Sequence, residues 1–219
     1  MDSTIQLLIY LHAIFGGIGL LSGLFSLLVR KGGYNHKKTG RIFSYSMLIS
    51  SLFSLIVARM PGHENLFLFL IGIFTIYLVL AGNRALTLKN RTKTKADALD
   101  KLVSGSMLFT SIGMLVIGLL GVLQKIDQSL LYLFFGSFGA FMSLKDFHNF
   151  KVFRQKKNVW LKSHLGRMVG ALIASVTAFL VAGLHIGTTL IWISPTLIGT
   201  AYIIYWNNKF RLTKKNKAI

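Results

Sequence analysis

The sequence predicts an all-α protein, a polytopic bundle of seven transmembrane helices. Of the 219 residues, 53% are hydrophobic and only 14% are charged. The apolar residues form seven long runs, and the charged residues collect in the gaps between them. A bilayer core about 30 Å thick needs roughly 20 apolar residues per helix. Seven such helices use nearly the whole chain, so residues 1–219 are expected to form a single transmembrane domain.

The predicted spans follow one another with short connections. Each span is an apolar run of the length that a membrane helix requires. The bounds are 4–29, 42–60, 65–88, 102–123, 129–148, 165–184 and 188–206.

The positions of Lys and Arg predict the orientation. All but two of the 25 basic residues lie in the first, third and fifth connections with their flanks, or in the C-terminal tail; the exceptions are Arg59 and Lys125. Because cytoplasmic segments retain Lys and Arg, the N-terminus is expected outside and the C-terminus in the cytoplasm, with the chain in the cytoplasmic (inner) membrane. The net charge of +19 therefore reports topology. The expected partners are the lipid bilayer and, as one option, further copies of the chain; nucleic acid is not expected.

The two halves of the chain share a pattern. His36 precedes the second span and His164 precedes the sixth, and each is followed by a Gly-Arg pair. Small residues recur every four positions in both spans, which permits close helix packing but is also common in any packed bundle. An offset of four spans predicts a parallel 3+1+3 repeat, with repeat one at about 1–90, a linking helix at about 101–124 and repeat two at about 129–208.

Six histidines supply the candidate functional groups, because ionisable residues at membrane depth mark functional sites by default. A single interfacial His is more often a snorkelling or hydrogen-bonded side chain, but here three share each depth. The outer group is His12, His63 and His185, with Glu64 as carboxylate, and the inner group is His36, His148 and His164, with Asp146.

These residue types favour metal or haem binding. Three imidazoles with a carboxylate or water suit zinc or another transition metal, and the chain has no Cys to supply a thiolate. Two His on neighbouring helices could instead hold haem b, through the pairs His36 with His164 and His63 with His185. One haem near each face would allow electron transfer across the membrane. The leading hypothesis is a haem- or metal-binding redox carrier.

Two other functions stay open, and whether the chain is an enzyme is undecided. A small-solute transporter with parallel repeats would bind its solute near the midplane, beside breaks such as Gly16-Gly17 or Pro195. The scarcity of midplane carboxylates in spans two to seven argues against ion coupling. A zinc-dependent membrane hydrolase would require the inner histidines and Asp146 to converge on one metal.

A short segment carries a family resemblance. Residues 33–47 have the sequence GYNHKKTGRIFSYSM and follow Leu11-His12 in the first span. This pattern resembles small bacterial membrane proteins grouped as domain of unknown function 2306. The resemblance extends over most of the chain through short motifs, and it implies a polytopic bundle with histidines at helix ends. It implies no particular activity and does not choose between the hypotheses.

Overall fold

A computed structural model describes residues 3–90, 92–126, 129–184 and 189–215. Within these ranges the chain forms seven α-helices and no β-strand, which confirms the predicted all-α fold. The helix α3 continues into a 3-10 turn, Leu86–Lys89, and α6 continues into a π-helical turn, Phe179–Gly183. The helices are α1 (Ser3–Leu28), α2 (Tyr34–Val57), α3 (Leu66–Ala85), α4 (Ala98–Leu123), α5 (Ser129–Val152), α6 (Val159–Ala178) and α7 (Thr189–Lys215).

Five helices in the described ranges are long and apolar enough to cross a membrane. They are α1, α2, α3 with its 3-10 turn, α4 and α5. A helix of about 20 residues rises roughly 30 Å, which matches the hydrocarbon core of a bilayer. This result agrees with the predicted membrane localisation.

Three helices begin earlier than the predicted spans. The helix α2 begins at Tyr34 rather than 42, α4 at Ala98 rather than 102, and α6 at Val159 rather than 165. Lys and Arg are good helix formers, so a helix continues through residues that the membrane interior would reject. At the start of α4, the Asp100 side chain also accepts a 2.9 Å hydrogen bond from the Asp97 backbone N–H. An apolar run therefore does not mark the residue at which its helix begins.

The helices α3 and α6 occupy the centre of the bundle. α3 packs against α2, α4 and α6, and α6 also packs against α1 and α7. The core here includes Leu78 and Ala171, both inaccessible to solvent. The long contact of α1 with α2 has its counterpart in α4 with α5, whereas the backbones of α5 and α6 approach each other at few points. The 3+1+3 repeat stays a prediction.

Glycines allow α1 to approach α2 closely. A Cβ atom on Gly19 would lie 2.6 Å from the Sδ atom of Met47, and one on Gly23 would lie 2.8 Å from the Phe43 ring. The Met47 side chain could move aside at Gly19, but a side chain at Gly23 would meet the rigid Phe43 ring and force the two helices apart. The close approach places Ser26, near the end of α1, beside His36 on α2.

Ion pairs fix the connection between α3 and α4. Arg84 contacts Asp97 at 3.0 Å and Asp100 at 2.5 Å, and Lys93 contacts both carboxylates at 2.7 Å. The Asp100 side chain is only 2% exposed, whereas that of Asp97 is 55% exposed. Asp100 therefore anchors the connection, because its charge is compensated by two cations in a largely dehydrated position.

We expect this connection to loosen at alkaline pH. Burial opposes the charge of Lys93, but its hydrogen bonds with Asp100 and Asp97 outweigh burial and raise the pKa of Lys93 above 10.5. A raised folded-state pKa gives stabilisation that is complete below pH 10.5 and is lost as the pH rises through the folded value. A spin label at the exposed Lys95 should become more mobile in that window. In a Lys93→Met control the label should be mobile already at neutral pH, and identical profiles would contradict the prediction.

Candidate functional site

A cavity of about 570 Å³ lies where α1, α2, α3, α6 and α7 meet. Its walls are largely apolar, with Phe43 and Leu172 among the lining side chains. Small-molecule sites in proteins usually enclose about 300 to 1,000 Å³ with mostly apolar walls and a few convergent polar groups. The cavity therefore has the size and wall chemistry of a ligand site.

His36 reaches this cavity from the first turn of α2. Its Nδ1 atom lies 3.0 Å from the Ser26 hydroxyl and 3.2 Å from the Ser26 carbonyl oxygen. The carbonyl oxygens near a helix C-terminus have no partner within the helix, so Ser26 is free to accept. The end of α1 thus orients the His36 ring.

His164 reaches the same cavity from α6. Its Nδ1 atom lies 2.8 Å from the carbonyl oxygen of Gly82 on α3. The contact depends on Gly82, because a Cβ atom there would lie 2.6 Å from the Met168 Sδ atom and 3.1 Å from the Arg167 Cβ atom. The central helix pair α3 and α6 therefore fixes the second ring.

The hydrogen bond of His164 determines where its proton lies. A carbonyl oxygen only accepts, so the Nδ1 atom of His164 carries the proton and donates it, which in a neutral ring leaves the lone pair on Nε2. The Nδ1 atom of His36 has two neighbours on Ser26, a hydroxyl that can donate or accept and a carbonyl oxygen that only accepts, so its contacts fit a proton on either ring nitrogen. Metal-binding histidines typically donate their other N–H to a carbonyl or carboxylate, which fixes the ring and makes it a stronger ligand.

We expect Gly82→Ala to disturb both packing and the His164 hydrogen bond. The Met168 side chain can move aside, but the Arg167 Cβ atom is fixed to the α6 backbone. Overpacking of this kind typically costs about 1 to 3 kcal/mol in the free energy of unfolding. Thermal unfolding in detergent measures it. The matched control is Gly113→Ala, where a Cβ meets nothing within 4 Å and stability should be unchanged or slightly higher; equal stability of the two variants would contradict the expectation.

Basic and aromatic side chains surround the cavity. Lys31 donates to the carbonyl oxygens of Ser26, at 2.9 Å, and Leu27. Its Nζ atom also lies 5.6 Å from the ring centroid of Tyr202 and 5.7 Å from that of Trp206, both on α7. Burial lowers the pKa of Lys31. Lys31 therefore joins α1 to α7 beside the His36 ring.

Asp146 belongs to a buried polar network and does not line the cavity that contains His36 and His164. Its carboxylate accepts from Arg167 at 2.5 Å, Tyr77 at 2.6 Å and Ser104 at 3.2 Å. Arg167 also donates to the Met142 carbonyl oxygen at 2.7 Å. The network joins α3, α4, α5 and α6. With three donors on one carboxylate, Asp146 is committed to bracing the bundle.

The predicted inner metal group is not assembled in the described structure. His36 and His164 share the cavity, but His148 is exposed on α5 and Asp146 binds Arg167. Among the residues that the structure describes, no group of three or more His, Asp or Glu side chains is placed to hold a metal ion.

The outer residues lie on different elements and form no metal-binding group of three in the described part of the chain. His12 is exposed on α1, and its Nδ1 atom donates to the Ser50 carbonyl oxygen at 2.9 Å. His63 and Glu64 lie in the connection between α2 and α3. His185 lies outside the described residues, so the pairing of His63 with His185 stays a prediction.

Several site residues were not identified from the sequence. Arg167 was counted with the fifth cytoplasmic connection, and Tyr77 and Ser104 gave no signal of their own. The spacing offered one clue, because Arg167 lies three residues after His164 and hence on the same side of α6. The partner of Arg167 could not be found this way, since it lies on another helix.

Comparison with known proteins returned no match: no family model, no curated protein and no solved structure is similar to this chain. The resemblance to domain of unknown function 2306 accordingly stays a prediction from short motifs. The function is argued from the cavity and its two histidines.

Proposed function

We propose that this protein binds one b-type haem between His36 and His164 and serves as a small membrane redox carrier. The observation that carries this proposal is that both imidazoles line one cavity, with the Nδ1 atom of each within hydrogen-bond distance of a backbone carbonyl oxygen. With Nδ1 as the donor, each ring would offer an Nε2 lone pair on a fixed frame.

The cavity suits such a group in two respects. Its volume of about 570 Å³ falls within the range of cofactor-sized sites. Apolar side chains, Leu27 and Met168 among them, line its walls and would exclude water from a macrocycle. Zinc is less well supported, because His36 and His164 have no third ligand beside them in the described structure.

The protein's own contribution is ligation and shielding. A haem iron held by two imidazoles would supply one-electron exchange when bound. His36 and His164 would hold the iron, and the hydrogen bonds of His36 with Ser26 and of His164 to the Gly82 carbonyl oxygen would keep both rings from rotating. The apolar walls would set a low local polarity, which is one of the levers that tune a redox potential.

We further propose seven spans, with α6 and α7 crossing the membrane as the other helices do, in the inner membrane with the N-terminus outside. The support is the concentration of Lys and Arg in alternate connections. The cavity would then face the cytoplasm, since Lys31, Lys37 and Arg41 belong to the first basic connection or its flank.

Cysteine labelling tests this orientation. The natural chain has no cysteine, so single cysteines at Glu64 and Lys95 can be introduced without background. We expect a membrane-impermeant maleimide to label position 64 in intact cells and position 95 only in inverted vesicles, because the two connections lie on opposite sides. Labelling of both positions from one side would contradict the topology.

An absorption spectrum of detergent-purified protein, before and after dithionite, tests haem binding. We expect a Soret band that shifts on reduction, with iron detected in the same sample by elemental analysis. Protein from haem-supplied cells that shows no Soret band and binds no added haemin would overturn the proposal. The second candidate, a small-solute transporter, rests on the same cavity and would then become the leading one.

A further inference from the structure

The charges around the cavity are of one sign. Lys31, Lys37, Arg41 and Lys89 contribute four cations, and none of the described residues that line the cavity is Asp or Glu. Lys37, Arg41 and Lys89 are exposed, whereas Lys31 is half-buried, and a half-buried cation beside apolar walls is costly unless an anion compensates it. The lining therefore points to a ligand that carries negative charge.

Lys31 has the geometry of a preformed anion contact. Two carbonyl oxygens and two aromatic rings hold its ammonium in place. An ammonium has three N–H donors, and the described structure provides hydrogen-bond acceptors for two. The third donor is available to a ligand in the cavity.

Lys31 and His36, the proposed iron ligand, both contact the carbonyl oxygen of Ser26. The Ser26 carbonyl oxygen accepts from the Lys31 ammonium and also lies 3.2 Å from the His36 Nδ1 atom. A group bound by Lys31 would therefore lie beside the macrocycle that His36 ligates. Lys89, whose Nζ atom lies 5.2 Å from the Trp160 ring centroid on α6, supplies another cation in the cavity lining.

We propose that the cavity recognises the carboxylate side chains of its tetrapyrrole, with Lys31 and Lys89 as the groups that bind them. This inference rests on the proposed haem binding and adds the chemical class of the ligand: an iron porphyrin in the free-acid form. Carboxylates pair with ammonium groups through charge-assisted hydrogen bonds, which an ester cannot match because it carries no charge.

The test compares two probes on the full-length apo-protein in detergent: haemin and haemin dimethyl ester, each titrated by its Soret absorbance. We expect haemin to bind at least about tenfold more tightly than the ester. In Lys31→Met and Lys89→Met the affinity for haemin should fall toward that for the ester, while the affinity for the ester stays unchanged. The control Lys151→Met alters an exposed cation outside the cavity and should behave as wild type.

Each outcome separates this inference from the haem proposal. Equal affinity of the wild type for haemin and its ester, with a normal Soret band, would overturn carboxylate recognition and leave the haem site standing. A loss of ester binding in Lys31→Met would mean that Lys31 only supports the fold near His36, and would overturn its assignment. Failure of both probes to bind the wild type would overturn the haem proposal and this inference together.

Discussion

Replacing His36 or His164 with alanine is expected to lower haem affinity by more than about 100-fold. Loss of an outer partner of a metal-ligating histidine alone typically costs 10- to 100-fold, and loss of the ligand itself should cost more. Haemin titration followed at the Soret band measures the effect. His148→Ala is the matched control, because His148 is exposed on α5 and does not line the cavity.

A replacement ligand makes this prediction more specific. Methionine also ligates haem iron and raises the reduction potential relative to histidine. We therefore expect His36→Met to retain a Soret band with a more positive midpoint potential, which a merely structural role for His36 would not produce. Wild-type affinity in both alanine variants would exclude the two histidines as axial ligands.

Replacing Asp146 with leucine is expected to lower the free energy of unfolding by about 3 to 5 kcal/mol. The change leaves Arg167, whose side chain is 4% exposed, buried without its carboxylate, and an unpaired buried charge carries that cost. Unfolding by sodium dodecyl sulfate, followed by circular dichroism, measures the difference. Asp97→Asn is the control, since a 55% exposed carboxylate should contribute at most about 1 kcal/mol.

The double variant Asp146→Leu with Arg167→Leu tests the reason for this effect. Apolar replacement of both members of a buried ion pair is often close to neutral, because the desolvation of both charges disappears together. The double variant should therefore be clearly more stable than Asp146→Leu alone. A double variant as unstable as the single one would show that the ion pair is not the cause.

Apolar runs predicted the class and order of the helices because a hydrocarbon core demands about 20 apolar residues in each span. They did not predict helix ends. The first turns of α2 contain Lys37 and Lys38, which are compatible with a helix but not with the membrane interior. The similar sequences around His36 and His164 did not establish a repeat either, since helix packing depends on the whole surface of each helix.

The candidate site was predictable in part. His36 and His164 each begin a helix from the same side, which is why their pairing could be proposed from the sequence, and the structure places both on one cavity. Their carbonyl partners, Ser26 and Gly82, could not be predicted, because every residue has a backbone carbonyl and the sequence does not show which one accepts a hydrogen bond. Asp146 was assigned to a metal, but rotation of α5 directs it toward Arg167 instead.

Two residues of α6 that bind neighbouring helices, His164 and Arg167, lie within one helical turn of each other. The His164 ring is tied to α3 through Gly82, and three residues later Arg167 is tied to α5 through Asp146. A helix held at two adjacent points by different neighbours cannot turn about its axis or slide without breaking one of them. The orientation of the His164 ring is therefore settled when the chain folds, so little conformational entropy remains to be lost when a ligand binds. If the proposed haem binds here, so rigid a site would need little nuclear rearrangement when an electron arrives or leaves.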